Sequence, residues 1–385
     1  MNPLGLLLLP LPAAYAAFVW RLGSALADPR ERLEGPVTAR SPGADSAPSN
    51  SPAGISVLIA ARNEEAWLGA TLRALRDQTL APARWEILVV DDGSRDGTAR
   101  VAEGALADLA AAGIRGRLLS APPPGGKKRA LDLAQRAACH DWVAVLDADS
   151  RPAAGWLACL VEQLRPDLGL LAGPVVFEGQ GRFARRVRLE YAGVLGAGLA
   201  SFALGRPLYA SGANLCWRRA AFEEAGGYRG LEEIASADDT LLIQRLSRYT
   251  TWRLAALLDP RARVSSRAPA TLRAFWRQRV RWTSTERHFP DKGALAAAAG
   301  LYLVFLTCAL APLAAGCGWI GGGLAGLLLA LKLLPDLRLV RRAARRLGVE
   351  WRWGDFAVVW PGQLAYGLLA PWFGTLGRVR WKESA

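Results

Sequence analysis

Hydrophobic and polar positions follow two regimes along this chain. Between residues 55 and 282, short apolar runs end in polar clusters and are separated by amphipathic stretches; toward both ends, long runs carry no charge. Ile55-Ser56-Val57-Leu58-Ile59 reads as a buried strand. The spacing then predicts a helix over Glu64–Gln78, with Asn63 as N-cap and two glutamates in its first turn. Glu86–Val90 is a second strand, Thr98–Ala112 an Ala-rich helix and Arg117–Ser120 a short strand. Lys127–Ala138 is a helix after the breaker Pro122-Pro123-Pro124-Gly125-Gly126, and Trp142–Leu146 is a further strand. This β-α-β-α-β-α-β alternation predicts an α/β fold with a mostly parallel sheet flanked by helices. Leu168–Phe177 adds a strand. Arg182–Ala203 is helical, with Arg182, Arg185, Arg186 and Arg188 near its start. That basic end suits either a membrane surface or an ordinary solvated face.

The uncharged runs set the expected organisation. Leu4–Trp20 is just long enough to span a bilayer, so residues 1–22 are expected to be an N-terminal transmembrane helix. A cleaved signal peptide ending at Ala25-Leu26-Ala27 fits less well, because the basic leading region is missing. Arg21, Arg30 and Arg32 follow the run, which places the chain beyond it in the cytosol. Residues 28–53, rich in Pro, Ser, Gly and Ala, read as a disordered linker. The globular domain is expected over 54–290. Residues 293–334 hold two transmembrane helices, with Pro312, Gly316 and Gly318 marking the turn. The segment 335–354, with Arg338, Arg341, Arg342, Arg345 and Arg346, is basic and cytosolic. A third hydrophobic segment, 355–377, either crosses or re-enters, and a tail covers 378–385. One further crossing would put Arg378, Arg380 and Lys382 outside, against the positive-inside rule. Gly316-Cys317-Gly318-Trp319-Ile320-Gly321 matches the dinucleotide-binding glycine pattern, but no βαβ unit surrounds it.

Charge narrows the function classes. The net charge is +14, and nearly all the basic residues are arginine. Such an excess suits nucleic acid, anionic lipid or phosphorylated substrates. No aromatic-and-basic RNA motif or zinc-finger spacing is present, so no nucleic-acid partner is expected. The five cysteines show no paired or metal-type spacing and read as free thiols in a reducing compartment. With only His140 and His288, neither a histidine metal site nor a Ser-His-Asp triad is expected.

The chemistry lies where the strands end. Open α/β sheets bind ligands beyond the carboxyl ends of their strands. Asp147 and Asp149 sit two apart at such an end, so an extended backbone turns both carboxylates to one side. Two hard oxygen donors there suit Mg²⁺ or Mn²⁺ completed by diphosphate oxygens, or else cap the helix near Gly155. Asp91-Asp92 ends the second strand, where a carboxylate can accept hydrogen bonds from a base or ribose, or cap the helix from Thr98. Lys127 follows two glycines and opens a helix, which makes an anion site or an exposed basic turn. Asp238-Asp239 precedes the apolar helix start Thr240-Leu241-Leu242-Ile243. One of that pair can serve as a general base, and the pair serves equally as an N-terminal cap. Gln278, Arg281 and Trp282 lie at i, i+3 and i+4, so a helix places them on one face. The indole offers a surface for a sugar ring and the guanidinium a fork for phosphate oxygens. Arg273, Arg277 and Arg287 allow the same helix to lie on a membrane.

Taken in order, Asp91-Asp92, Asp147-x-Asp149, Asp238-Asp239 and Gln278-x-x-Arg281-Trp282 resemble the motifs of the family 2 glycosyltransferases, particularly the membrane-bound branch with cellulose and hyaluronan synthases. The similarity covers about residues 55–285. It implies a GT-A fold and inverting transfer from a nucleotide sugar, commonly a UDP-sugar. Membrane attachment favours a lipid or lipid-linked glycan hydroxyl as acceptor, and the charge bias places the protein at the inner membrane with the catalytic domain in the cytosol. By the same resemblance, Asp92, Lys127, Asp147, Gln278, Arg281 and Trp282 contact the donor and acceptor. Asp147 and Asp149 hold the metal, and Asp239 is the catalytic base. Lys127 enters because Gly126-Lys127-x-x-Ala130-Leu131 resembles the family's Gly-Lys-x-x-Ala-Leu-Asn, and Ser211-Gly212-Ala213-Asn214 resembles its acceptor-side segment. Two positions depart from the pattern: Asp238 stands where the family has Glu, and Asp132 where it has Asn. Polysaccharide synthases of this branch carry more membrane spans, so a transferase adding one or a few sugars is expected over a processive one.

Overall fold

A computed structural model describes residues 8–27, 32–34, 54–234, 236–284 and 292–376. Helix α1 (Pro10–Ala25) comes first, then strand β1 (Arg32–Glu34). The alternation follows as β2 (Ile55–Ala61), α2 (Leu68–Arg76), β3 (Trp85–Asp91), α3 (Thr98–Ala111), β4 (Arg115–Ser120), α4 (Lys127–Ala137) and β5 (Trp142–Val145). Next are β6 (Arg151–Pro152), α5 (Trp156–Gln163), β7 (Leu168–Ala172), β8 (Val175–Glu178) and α6 (Gly181–Ala203). Then come β9 (Leu215–Arg218), α7 (Arg219–Glu224), α8 (Asp238–Tyr249), β10 (Arg253–Leu257) and β11 (Val264–Arg267). Helices α9 (Leu272–Thr283), α10 (Lys292–Gly316), α11 (Gly322–Leu347) and α12 (Trp353–Leu376) end the described chain.

The chain divides into two units. The α/β unit holds residues 30–178 and 202–267. Its main sheet has the order β1-β10-β7-β9-β5-β2-β3-β4. Strands β5, β2, β3 and β4 run parallel, as do β10 and β7. Strand β9 is antiparallel to both β5 and β7 and joins the two parallel sets. A second sheet, β6-β11-β8, starts two residues after Asp149. All seven residues of β2 are buried, as are the first six of β3. Burial of each large aliphatic side chain contributes about 1.5–3 kcal/mol, so the strands that carry the acidic loops lie in the most protected part of the unit.

Local expectations fail where long-range contacts decide. The segment 168–177 is two strands in different sheets, not one. Pro174 breaks it, because proline cannot donate to a ladder. Gly173 passes so close to Asn214 that a Cβ would sit 2.3 Å from its amide nitrogen. Helix α2 starts at Leu68, not at the expected Glu64, and Asn63 does not cap it. Asn63 instead has φ +53°, accepts from the Arg95 amide at 2.9 Å and donates to Ser94 Oγ at 3.0 Å. The Glu64 amide donates to Thr98 Oγ1, and Glu65 accepts from the Gly97 amide. The polar cluster after β2 is thus spent on the loop after β3. Of the linker expected at 28–53, residues 32–34 form β1, paired with β10, and the others lie outside the described residues.

The helical unit holds residues 1–29, 179–201 and 268–379. Among the described residues one helix segment, Leu295–Gly316 in α10, is long and apolar enough to cross a membrane, with mean hydropathy 2.0. Helix α1 has 16 residues and α11 carries Lys332 and Asp336 before its basic end, so neither meets that measure. Helix α12 contains Pro361, Pro371 and Asp355. Residues 1–7 of the first hydrophobic run and the tail 378–385 lie outside the described residues.

Candidate active site

Three adjacent parallel strands bring their polar ends to one edge of the α/β unit. Ala61 in β2 is opposite Asp91 in β3, and Leu58 is opposite Val145 in β5. Asp91-Asp92 and Asp147-Ala148-Asp149 therefore leave the sheet side by side. Because β9 is antiparallel, with Leu215 opposite Val145, the residues before it, Gly212-Ala213-Asn214, arrive at the same edge.

Asp92 is buried. Its Oδ1 accepts from the Gly126 amide at 2.7 Å, and its Oδ2 lies 3.6 Å from the Arg62 guanidinium. That Oδ2 is buried and has no hydrogen-bond partner among the described residues. Burial pushes the Asp92 carboxyl up, against the Gly126 amide and Arg62. An acceptor in this state suits an N–H or O–H donor from a ligand. Gly125 and Gly126 make this approach possible. Gly125 has φ +73°, and a Cβ there would lie 2.5 Å from Asp92 Oδ1. Gly125→Ala should therefore lower stability by about 1–2 kcal/mol from the left-handed backbone alone, read as a fall in melting temperature; an unchanged melt would contradict the close approach.

Lys127, the next residue, ties the carboxylates together. Its Nζ lies 2.8 Å from Asp147 Oδ1 and 3.0 Å from Asp238 Oδ2. Burial works against its charge, but the two carboxylates outweigh that and hold its pKa well above the ordinary lysine range. Asp238, buried yet facing Lys127 and Lys128, is held below the usual carboxylate range. Asp239 goes the other way: burial, then the charge of Asp238, push it up. Its Oδ2 accepts from the Gly212 amide at 2.8 Å and its Oδ1 from the Thr240 amide at 2.6 Å. The adjacent pair thus splits into one ionised partner of Lys127 and one poised carboxyl with a fixed orientation.

The Asp147–Asp149 turn is pinned from below, since Thr71 Oγ1 donates to the Ala148 carbonyl at 2.8 Å. Burial first, then Asp147, push the Asp149 carboxyl up. Among the described residues no three His, Cys, Asp or Glu side chains gather as a metal cage. Two mutually repelling carboxylates nevertheless fit a divalent cation that takes its other oxygens from diphosphate and water.

Gln278, Arg281 and Trp282 belong to the helical unit, on α9, which Thr271 caps by accepting from the Ala274 amide at 3.2 Å. Gln278 Oε1 accepts from Arg279 at 2.7 Å, and Trp282 lies under the Arg279 guanidinium, 4.2 Å from its ring centroid.

Several anchoring residues escape a reading of the sequence. Lys128 is buried and donates to the Ile234 carbonyl at 2.5 Å and the Ser236 carbonyl at 2.8 Å. It holds the segment before Asp238, where Ala237 takes a left-handed φ of +56°. Asn214 accepts from the Trp156 indole and donates to the Pro174 and Ala262 carbonyls, which fixes the segment bearing Gly212. The signal for Lys128 was its place beside Lys127 on an amphipathic helix; Asn214 gave none beyond its motif.

Comparison with known proteins agrees with this architecture. Residues 56–230 match the family described as Glycosyl transferase family 2. The chain is 28% identical over 233 residues to a beta-monoglucosyldiacylglycerol synthase of Trichormus variabilis, a match covering 59% of this chain and 48% of that protein. It is 24% identical over 238 residues to a poly-beta-1,6-N-acetyl-D-glucosamine synthase of Staphylococcus epidermidis, covering 60% and 53%. The chain thus spans about half the length of the curated relatives it matches. A mannosyltransferase from Pyrobaculum calidifontis, solved in complex with GDP-Man and Mn²⁺, shares the fold with a TM-score of 0.52 at 19% identity, over 97% of this chain and 99% of that one. The mostly parallel sheet flanked by helices is GT-A-like. Residues 56–230 therefore match a family 2 glycosyltransferase domain, and the relatives that share this stretch are glycosyltransferases by name.

Proposed function

We propose that this chain is a membrane-anchored, metal-dependent, inverting glycosyltransferase that moves a sugar from a UDP-sugar to a hydroxyl of a lipid or lipid-linked glycan. The observation that carries the reading is the meeting of Asp92, Lys127, Asp147, Asp238 and Asp239 at one sheet edge, linked by Lys127 and the Gly125-Gly126 turn. Asp92, with its unsatisfied Oδ2, takes the nucleotide. Asp147 and Asp149 would hold Mg²⁺ or Mn²⁺, which supplies positive charge against a departing diphosphate. Lys127 adds a fixed cation beside them. Asp239, oriented by the Gly212 amide, accepts the proton of the acceptor hydroxyl. The acceptor oxygen bonds to the anomeric carbon as the bond to the diphosphate breaks, and the electron pair leaves with the nucleotide. Arg281 and Trp282 serve the diphosphate and the acceptor, with Gln278 beside them.

Membrane anchoring is supported by where apolar surface is exposed. Among the described residues, every exposed large apolar side chain except Tyr249 lies in the helical unit, including Leu303, Leu313, Leu327, Leu369, Trp372 and Phe373. Exposed patches on this scale mark a membrane or a partner. The positive-inside rule puts Arg338–Arg346 in the cytosol, at the inner membrane. The likeness to a glucosyldiacylglycerol synthase supports a lipid acceptor. The likeness to a poly-N-acetylglucosamine synthase favours a second reading, processive polymer synthesis, which product length on a gel separates from the first.

The test is a nucleotide-release screen of the full chain in detergent against common UDP-sugars, with and without Mn²⁺ and diacylglycerol. Mn²⁺-dependent release from at least one donor is expected; none with any donor would remove the reading. The pH profile is a second check. Because Asp239 is pushed up, the acid limb of kcat/KM should lie above the ordinary aspartate range, as the base works only when ionised. Asp238→Asn, which removes the neighbouring negative charge, should move that limb down. A limb at the usual position that this variant leaves unmoved would contradict the assignment.

A further inference from the structure

Arg279 does not belong to the three motif positions of α9, yet it is the most buried charge on that helix. It is 2% exposed and faces Glu190 of α6, itself 6% exposed. Its Nε lies 3.2 Å from Glu190 Oε1, and a second guanidinium nitrogen bonds Glu190 Oε2. The third nitrogen donates to Gln278 Oε1 at 2.7 Å. The guanidinium lies against Phe275 and Trp282, 4.3 and 4.2 Å from their ring centroids. Tyr366 of α12 donates to Glu190 Oε1 at 2.5 Å, and its ring meets Phe275 edge-on at 5.6 Å. Tyr191, next to Glu190, borders Trp282 at 5.9 Å. Three helices of the one unit thus converge on this guanidinium. All its nitrogens are committed, so it is no ligand site; what it fixes is the amide of Gln278 and the indole of Trp282.

We propose that Glu190 and Arg279 form a positioning pair that orients Gln278 and Trp282 for the acceptor, and that Tyr366 makes this pair answer to α12. The proposal rests on the acceptor role given to Trp282 above. A buried guanidinium held by a carboxylate has one low-energy placement, because any other strands a charge. An arginine fork clamps an amide and stacks on a ring at once, which a lysine cannot do. Helix α12 also carries the exposed Leu369, Trp372 and Phe373. Phe373 packs edge-on against Trp276 of α9 at 5.6 Å. A shift of α12 in its surroundings therefore reaches Trp282 through Tyr366, Glu190 and Arg279, and the transferase would sense its bilayer at the acceptor residue.

The experiment uses full-length protein labelled with 5-fluorotryptophan, in detergent and in phosphatidylglycerol nanodiscs. The fluorine resonance of Trp282 is assigned by its loss in Trp282→Phe. Wild type should give one sharp Trp282 signal whose position differs between the two environments. Tyr366→Phe, which removes a single hydroxyl, and Arg279→Lys, which keeps the charge, should broaden or split that signal. Both should lower the rate of sugar transfer to dioleoylglycerol about tenfold and leave the KM for the UDP-sugar unchanged. A swap of the pair, Glu190→Arg with Arg279→Glu, should recover part of what either single change loses. An unaltered Trp282 resonance in both Tyr366→Phe and Arg279→Lys would overturn the proposal whatever the activity. If the resonance responds but Trp282→Phe transfers sugar at the normal rate, the positioning stands and the acceptor role of Trp282 fails.

Discussion

Replacing Asp239 by Asn should cut sugar transfer by about 10²–10⁴-fold, the range a positioned general base supplies, and leave UDP affinity intact. The substitution is nearly isosteric. The Asn carbonyl oxygen can accept from either the Gly212 or the Thr240 amide, so the helix start at Asp238 should hold. What is lost is the basic oxygen. Asp238 cannot replace it, because its carboxylate is bound to Lys127 at 3.0 Å and held in the ionised, weakly basic state. Burial and Asp238 make Asp239 the stronger base of the two. Single-turnover transfer measured beside calorimetric UDP binding separates the two effects. Full-rate transfer by Asp239→Asn would take the base role from this residue.

Asp149→Ala should have the second largest effect, and it should show in binding before any turnover. With Asp149 gone, one carboxylate, Asp147, remains at this strand end, and Lys127 already engages it at 2.8 Å. A divalent ion with one contested carboxylate has little to hold it, since Mg²⁺ and Mn²⁺ keep their waters unless hard oxygens replace them. Calorimetry with UDP should therefore show an Mn²⁺-dependent gain in affinity for wild type that the variant lacks. In the absence of Mn²⁺ the two proteins should bind UDP alike. The same gain in both would place the metal elsewhere.

The parts of this account that were legible in the sequence share a physical origin. Strands β2, β3 and β5 are buried apolar runs bounded by turn residues, and their ends fall at Asp91-Asp92 and Asp147. Local periodicity carries that information. The antiparallel strand β9, wedged between β5 and β7, gave no such signal, because direction is a property of the whole sheet. Asn63 looked like a cap by residue type, but contacts about 30 residues away claim it. The Glu190–Arg279 pair spans 89 residues. Its one local trace is that Glu190 is the sole acidic residue of α6, while Arg279 has Phe275 and Trp282 on its own face of α9. The hydrophobic segments were visible as composition. Their lengths were less so, since α11 turns charged at Lys332, well before its end at Leu347.

The central claim is that the carboxylates gathered around Lys127 grip a nucleotide diphosphate through a divalent ion. The most direct measurement is diffraction from the full chain grown with UDP and Mn²⁺, using the anomalous signal of manganese to locate the ion. The account predicts a single manganese peak bound by Asp147 and Asp149 and by the diphosphate, with Asp92 Oδ2 accepting a hydrogen bond from the nucleotide. Bound UDP with manganese away from both aspartates, or with no hydrogen bond from the nucleotide to Asp92 Oδ2, would contradict it.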